Sequence, residues 1–210
     1  MKPRHIISTV LIIGIIILIF FLYRSIMKPV QFENEYNKRS TAVINKLKDI
    51  RAIQEVYRIN YGVYSNDIDS LLLFLEEGEV NMVAKAGDVP DSLTEAQALR
   101  AGIISRDTIV VKPLQMLIEE NKLITNPKDI HSLKYIPYSD NLVFDMSAKV
   151  ITRSGANVPV FEATAAIETY TKGMNNQDVV NRKAELIDKN RYPGWKVGDI
   201  DQPITEGNWE

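Results

Sequence analysis

From Ile6 to Tyr23 the chain runs eighteen residues, IISTVLIIGIIILIFFLY, with no charge and only Ser8 and Thr9 as polar interruptions. A helix of that length rises roughly 27 Å, close to the hydrocarbon thickness of a bilayer. A core helix with a solvent face would show a 3.6-residue polar period, and none runs through this segment. The run also exceeds the apolar stretch of about 7 to 15 residues found in a cleaved secretory signal. Arg24, Ser25, Ile26, Met27 and Lys28 follow it in place of a small-residue cleavage site. The pattern predicts an uncleaved transmembrane signal anchor within residues 1–28, with Ile6 and Tyr23 at its ends and Gly14 in its middle. Tyr23, Arg24 and Lys28 suit the interface, where an aromatic ring and snorkelling cations sit.

From Glu33 to Asn60 the period changes to that of an amphipathic helix, with Val43, Leu47, Ile50, Ile53 and Tyr57 at three- and four-residue steps. Glu33 and Glu35 early, and Lys46, Lys48, Arg51 and Arg58 later, match the helix dipole, and Gly62 closes the segment. This defines a stem over residues 29–62. Pro29 either kinks one continuous helix or breaks the stem from the span. The stripe Val43, Leu47, Ile50 and Tyr57 is either the core-facing side of a domain helix or, over about two heptads, a contact with another subunit.

Ser65 or Asp67 caps a second, short helix through Leu71–Leu75 that returns onto the first and stops at Gly78. Val80, Met82 and Ala84 alternate as in a strand, which Gly87, Asp88 and Pro90 end. Ser92-Leu93-Thr94-Glu95 is a capping box for a helix over 93–101 that stops at Gly102. Thr108–Val111 reads as a strand, and Pro113 opens helical turns through Glu120. Strands follow at Leu133–Tyr138, Leu142–Met146, Lys149–Thr152 and Val158–Ala163. Ser139-Asp140-Asn141 and Ser154-Gly155-Ala156-Asn157 join them into an antiparallel meander, with Pro137 and Pro159 at edges or strand ends. Ala165–Thr171 fits either strand or helix and is read as a strand, Asn176 caps a helix to about Asn190, and the tail 192–210 reads as irregular. The expected fold is α+β: a transmembrane helix, a helix stem, and a globular domain over 63–191 with a small antiparallel sheet and short helices.

The anchor running into an amphipathic helix, the phrase Tyr57-x(3)-Tyr61-Gly62-x-Tyr64 and the Leu-rich helix after it resemble the N-terminal third of type IV pilins and type II secretion pseudopilins. That resemblance implies a helix stem packed on a small antiparallel sheet, with the domain facing outward from the cytoplasmic membrane. The chain departs from the prepilin-peptidase motif: Gly14 is followed by Ile15, and Ile19 stands where the motif places a Glu. In the second half, Lys134-Tyr135-Ile136-Pro137-Tyr138, Val158-Pro159-Val160-Phe161-Glu162-Ala163, Tyr192-Pro193-Gly194-Trp195-Lys196-Val197-Gly198 and Gly207-Asn208-Trp209-Glu210 resemble small single-pass envelope proteins of Bacteroidetes-type bacteria. That likeness implies a habitat and no chemistry.

Charge bears on orientation. Lys2, Arg4 and the α-amino group precede the span, whereas Arg24, Lys28, Lys38 and Arg39 follow it, a count that mildly favours a cytoplasmic domain. A basic N-terminus directly before an apolar run argues the reverse. The pilin-like layout tips the expectation to a periplasmic domain on the bacterial inner membrane. Setting Lys2, Arg4, Arg24 and Lys28 aside from the 25 basic residues leaves 21 against 27 acidic, a net charge of −6. That argues against a nucleic-acid surface, which needs a basic patch. The absence of cysteine rules out disulfides, thiolate metal sites and cysteine nucleophiles. His5 and His131 are the only imidazoles, so a histidine-based metal site or triad would rest on His131.

Asn66, Asp67 and Asp69 lack the glycine and closing glutamate of a calcium loop and read as helix capping. Glu162 and Glu168 make an acid and base pair only if folding brings them together. Trp195 and Trp209 either pin the C-terminus or bind a partner. The expectation is a structural or interaction protein and not an enzyme, with no cofactor, metal or small-molecule substrate. Its partners are the lipid bilayer and other envelope proteins or further copies of itself, in a secretion or pilus-like assembly. Val43, Leu47, Ile50, Tyr57, Trp195 and Trp209 are its candidate contacts. The alternative is a membrane-anchored periplasmic hydrolase or metal-dependent enzyme whose carboxylates and His131 converge only in the fold.

Overall fold

The structure, a computed structural model, describes residues 3–86, 94, 97 and 105–210, with the backbone alone at 3–10, 82–86 and 105–108. The elements are α1 (Pro3–Tyr61), α2 (Ile68–Glu77), β1 (Val80–Ala86), β2 (Ser105–Val111) and α3 (Pro113–Glu119). A 3₁₀ segment (Pro127–Lys134) then leads to β3 (Asp145–Arg153), β4 (Ala156–Ala166), α4 (Ile167–Tyr170), α5 (Asn176–Asp188) and β5 (Gly194–Gly198). The expected α+β class is the one observed. The capping box at Ser92 and the helix over 93–101 lie outside the described residues.

Span and stem form one helix that continues through Pro29. It ends where Gly62, at φ +76°, takes the left-handed turn and its amide donates to the Arg58 carbonyl at 2.8 Å. Tyr36, Val43, Leu47, Ile50, Ile53 and Val56 lie along one face of α1 and are buried. Each such side chain contributes about 1.5–3 kcal/mol by leaving water. They meet Leu71, Leu72 and Leu75 of α2 and Phe161, Ala163 and Ala165 of β4 in one core. Those three β4 residues alternate at the two-residue period of a strand, and the two alanines let the sheet approach the helix closely.

Polar side chains on α1 clip distant loops to it. The Gln54 amide brackets Ser65, donating to its carbonyl at 2.7 Å and accepting from its amide at 2.9 Å. Buried Asp49 accepts from the Ile124 and Thr125 amides at 2.7 and 2.8 Å. Arg51 donates to the Thr205 carbonyl at 3.4 Å and to the Glu210 carboxylate at 2.8 Å, which ties down the C-terminus.

The sheet order is β3-β4-β5, antiparallel throughout, and β1 pairs with β2 in a separate hairpin. The stretches expected as strands at 142–146 and 149–152 are largely one strand, β3, paired with β4 from Asp145↔Thr164 to Arg153↔Ala156. Ser154 (φ 51°) and Gly155 (φ 80°) make the two-residue turn, both left-handed as a right-twisted hairpin requires. Pro159 lies on the part of β4 that β5 does not reach, where the strand is an edge on that side.

Several expectations fail. Leu133–Tyr138 is not a strand: Pro127 and the Asn126 cap start 3₁₀ turns, and Ile130, Leu133 and Ile136 are buried at that helix's period of three. Tyr135 makes only an isolated bridge to Val143. In Ala165–Thr171 the strand stops at Ala166, and the Thr169 and Thr171 hydroxyls donate to the Ala166 and Ile167 carbonyls around α4. The cap of α5 is Asn175, whose side chain accepts from the Gln177 amide, and not Asn176. The tail is irregular over most of its length but not throughout. Its residues Gly194–Gly198 form β5, held where positive φ and the absence of a Cβ allow close approach to β4.

Two predictions follow from this packing. A Cβ at Gly198 (φ +74°) would lie 2.2 Å from the Phe161 carbonyl, whereas one at Gly173 (φ +79°) meets nothing within 4 Å. Urea unfolding of the detergent-solubilised chain, followed by Trp fluorescence, should show Gly173→Ala costing about 1 kcal/mol. Gly198→Ala should cost more than about 3 kcal/mol. Asp67 caps α2 by accepting from the Ser70 amide and hydroxyl, and those bonds, the amide first, hold its carboxyl below its ordinary 3.8. Asp67→Ala should therefore cost about 1 kcal/mol at neutral pH. The depressed folded value makes this stabilisation complete above the unfolded pKa and lost as pH falls through the folded one. The gap between wild type and variant should stay constant down to roughly pH 5 and close below about pH 4.

Candidate functional site

The candidate site is the junction where the apolar segment of α1 hands over to the domain. That segment is long and apolar enough to cross a membrane, and none of its most apolar eighteen-residue window is buried against the rest of the chain. Gly14 and Tyr23 lie on this exposed stretch, and Ile6 lies within its helical backbone. Pro29 has no amide to give to the Ser25 carbonyl four residues back, so the i to i−4 ladder is interrupted at this turn.

The domain begins at the level where the apolar run stops. Residues 173–175 and the first turn of α5 dock beside α1, leaving a cleft of about 480 Å³ lined by Phe21, Arg24, Ser25, Lys28, Asn175 and Asp178 among others. A second groove of about 340 Å³ continues upward between Phe32, Glu35, Arg39 and Met174. Arg182 locks α5 in place: it pairs with Glu33 of α1, bonds Glu185 at 3.1 Å, and sits 5.2 Å over the Tyr36 ring. The Tyr36 hydroxyl lies 3.4 Å from that of Tyr170, and burial pushes the Tyr170 hydroxyl far above its ordinary pKa, so it stays protonated.

Further along α1 a cleft of about 400 Å³ faces the loop 135–141, with Arg39, Lys46 and Lys172 around it. The loop is shaped by left-handed residues, Tyr138 (φ 63°), Asp140 (φ 54°) and Asn141 (φ 68°). Buried Ser139 holds it together by donating to the Ile136 carbonyl at 2.6 Å and accepting from the Leu142 amide at 3.0 Å. The Arg39 guanidinium lies 4.8 Å over the Tyr138 ring and donates to the Tyr170 and Lys172 carbonyls at 3.1 and 2.8 Å. Lys46 donates to the Ser132 carbonyl and, at 2.8 Å, to that of Tyr135. Burial pushes its ammonium pKa down, against the pull of Asp129 and Asp49. These cations are committed to backbone carbonyls and act as clips. In and beside this loop Tyr135, Tyr138, Leu142 and Val143 are exposed.

The residues expected to make contacts fall elsewhere. Val43, Leu47 and Ile50 are wholly buried, so no exposed apolar stripe runs along the stem and these residues are core. Tyr57 is half-buried, its ring 5.1 Å from Phe74 and 4.6 Å from Tyr61. Trp195, on β5, and Trp209 are also half-buried and pack against the core, with both indole N–H groups enclosed and unpartnered. Asn208 fastens this end by accepting from the Lys196 amide at 3.1 Å and donating to the Gly194 carbonyl at 3.0 Å. His131 is exposed and meets Glu76 at 2.9 Å. Glu162 binds Lys196 at 3.0 Å and Glu168 binds Lys183, so each carboxylate has its own lysine. Among the described residues no three His, Asp or Glu side chains are placed to hold a metal ion.

The junction cleft escaped sequence reasoning because Asn175 and Asp178 are about 150 residues from Arg24; only the two cations after the apolar run hinted at it. Arg182→Ala should undock α5. Hydrogen exchange in residues 176–188 should accelerate several-fold, while Lys189→Ala, at the far end of the helix, should leave it unchanged. Comparison with protein-family models, with curated proteins and with solved structures finds no match to this chain.

Proposed function

We propose that this chain is a single-pass protein of the bacterial cytoplasmic membrane whose α+β domain lies on the periplasmic face. Its role is structural: it contacts neighbouring envelope proteins in a secretion or pilus-like assembly. The observation that carries this reading is the continuity of α1 from the apolar segment into the domain core. Such a helix holds the domain at one height and angle relative to the bilayer. A component that must meet neighbours in the membrane plane needs that rigidity, whereas a tethered catalyst works as well on a flexible linker. The packing of a small antiparallel sheet on the helix spine is also what the pilin-like resemblance implies, and it supports the same reading.

With the stem stripe buried, the contact surface moves to the loop carrying Tyr135, Tyr138, Leu142 and Val143 beside Arg39. Tyr and Arg over an apolar patch are the side chains that dominate contact energies between proteins.

The sidedness test uses a chain with no cysteine of its own. Buried Ser139 is a poor reporter position, so the single cysteine goes at exposed Lys128. In cells with only the outer membrane permeabilised, a membrane-impermeant thiol reagent should label Lys128→Cys before lysis. Labelling only after lysis would place the domain in the cytoplasm and overturn the proposal.

A further inference from the structure

Resting on the membrane-anchored reading above, we propose that the cleft between α1 and the start of α5 binds the headgroup of one anionic glycerophospholipid, with Arg24 and Lys28 holding its phosphate. The two cations stand four residues apart and therefore on one face of α1. Both are solvent-exposed, and they line the cleft with Asp178 as its single acidic side chain. The wall thus carries net positive charge inside a domain region whose overall balance is acidic. Its volume of about 480 Å³ is in the range of small-molecule sites.

Bilayer geometry decides what fills it. The uncharged run ends at Tyr23, so Phe21 on the lower rim sits at the edge of the hydrocarbon. Arg24 lies roughly 4.5 Å higher and Lys28 about 6 Å above that, which spans the phosphate layer. The Asp178 carboxylate oxygens supply acceptors for headgroup hydroxyls, as on a glycerol headgroup. A choline headgroup has no donor to give them. On the translocated side of a membrane Arg24 and Lys28 run against the positive-inside bias, and pairing with lipid phosphate offsets that cost.

The test takes the full chain in nonionic detergent, titrates it with phosphatidylglycerol and with phosphatidylcholine, and counts retained lipid by native mass spectrometry. Wild type should retain phosphatidylglycerol with a preference on the order of tenfold, and Arg24→Gln with Lys28→Gln should abolish that preference. Lys128→Gln, distant in the fold, should keep it. Equal retention of phosphatidylcholine by wild type, or an undiminished preference in the double variant, overturns the proposal. An alkaline carbonate wash of membranes separates the two readings. Wild type and variant that both resist extraction but lack the preference sink the lipid site alone. Release of wild type removes the anchor, and both readings fall.

Discussion

Everything in the described structure depends on α1 being a single helix with two unlike halves. The lower half is apolar on every side, and among the described residues none of its most apolar eighteen-residue window is buried; the upper half is apolar on one face and is the wall on which the domain is built. A helix tolerates Pro29 at the handover because only one hydrogen bond is lost there, while the apolar face above it is covered by α2, β4 and β5. The domain therefore takes its position and angle from the helix.

Burial of the stripe supplies most of the driving force, but an apolar face alone does not say which loop goes where. The polar side chains along the spine do. Arg39, Lys46, Asp49, Arg51 and Gln54 lie on α1, and each reaches backbone groups outside that helix. Removing Gln54 leaves the buried Ser65 carbonyl and amide without partners, which costs about 1–3 kcal/mol apiece. Exposed ion pairs such as Lys149 with Asp201 contribute far less. These clips also explain why the basic cleft near loop 135–141 is not simply a free anion site: its Arg39 and Lys46 are already bonded to carbonyls. The cations at the junction, Arg24 and Lys28, line an open cleft instead.

How much was legible in the sequence varied with the range of the interactions involved. The eighteen-residue apolar run, the stem's three- and four-residue stripe, the closing Gly62 and the Ser154-Gly155 turn are all local patterns, and each appears as expected. The 3₁₀ segment reads as a strand because Tyr135, Ile136 and Tyr138 are β-branched and aromatic residues, whereas the burial of Ile130, Leu133 and Ile136 at steps of three shows only with the core in place. The tail was misread because Gly and Pro usually mark irregular chain. Here Gly194 and Gly198 are the residues that let a strand lie against β4, a fact visible only with β4 in place.

The candidate contacts show the same division. Sequence by itself determined that the chain carries a membrane-length apolar helix, an amphipathic stem and an α+β remainder, because hydrophobic periodicity is written in neighbours a few residues apart. It left open whether Val43, Leu47 and Ile50 faced a partner or the chain's own core, since the same stripe serves both. Tertiary structure decided for the core, by folding α2 and the sheet onto that face. It also assembled the junction cleft from Arg24, Lys28, Asn175 and Asp178. No local pattern encodes that meeting, because it depends on a three-dimensional return of the chain to the foot of its own first helix.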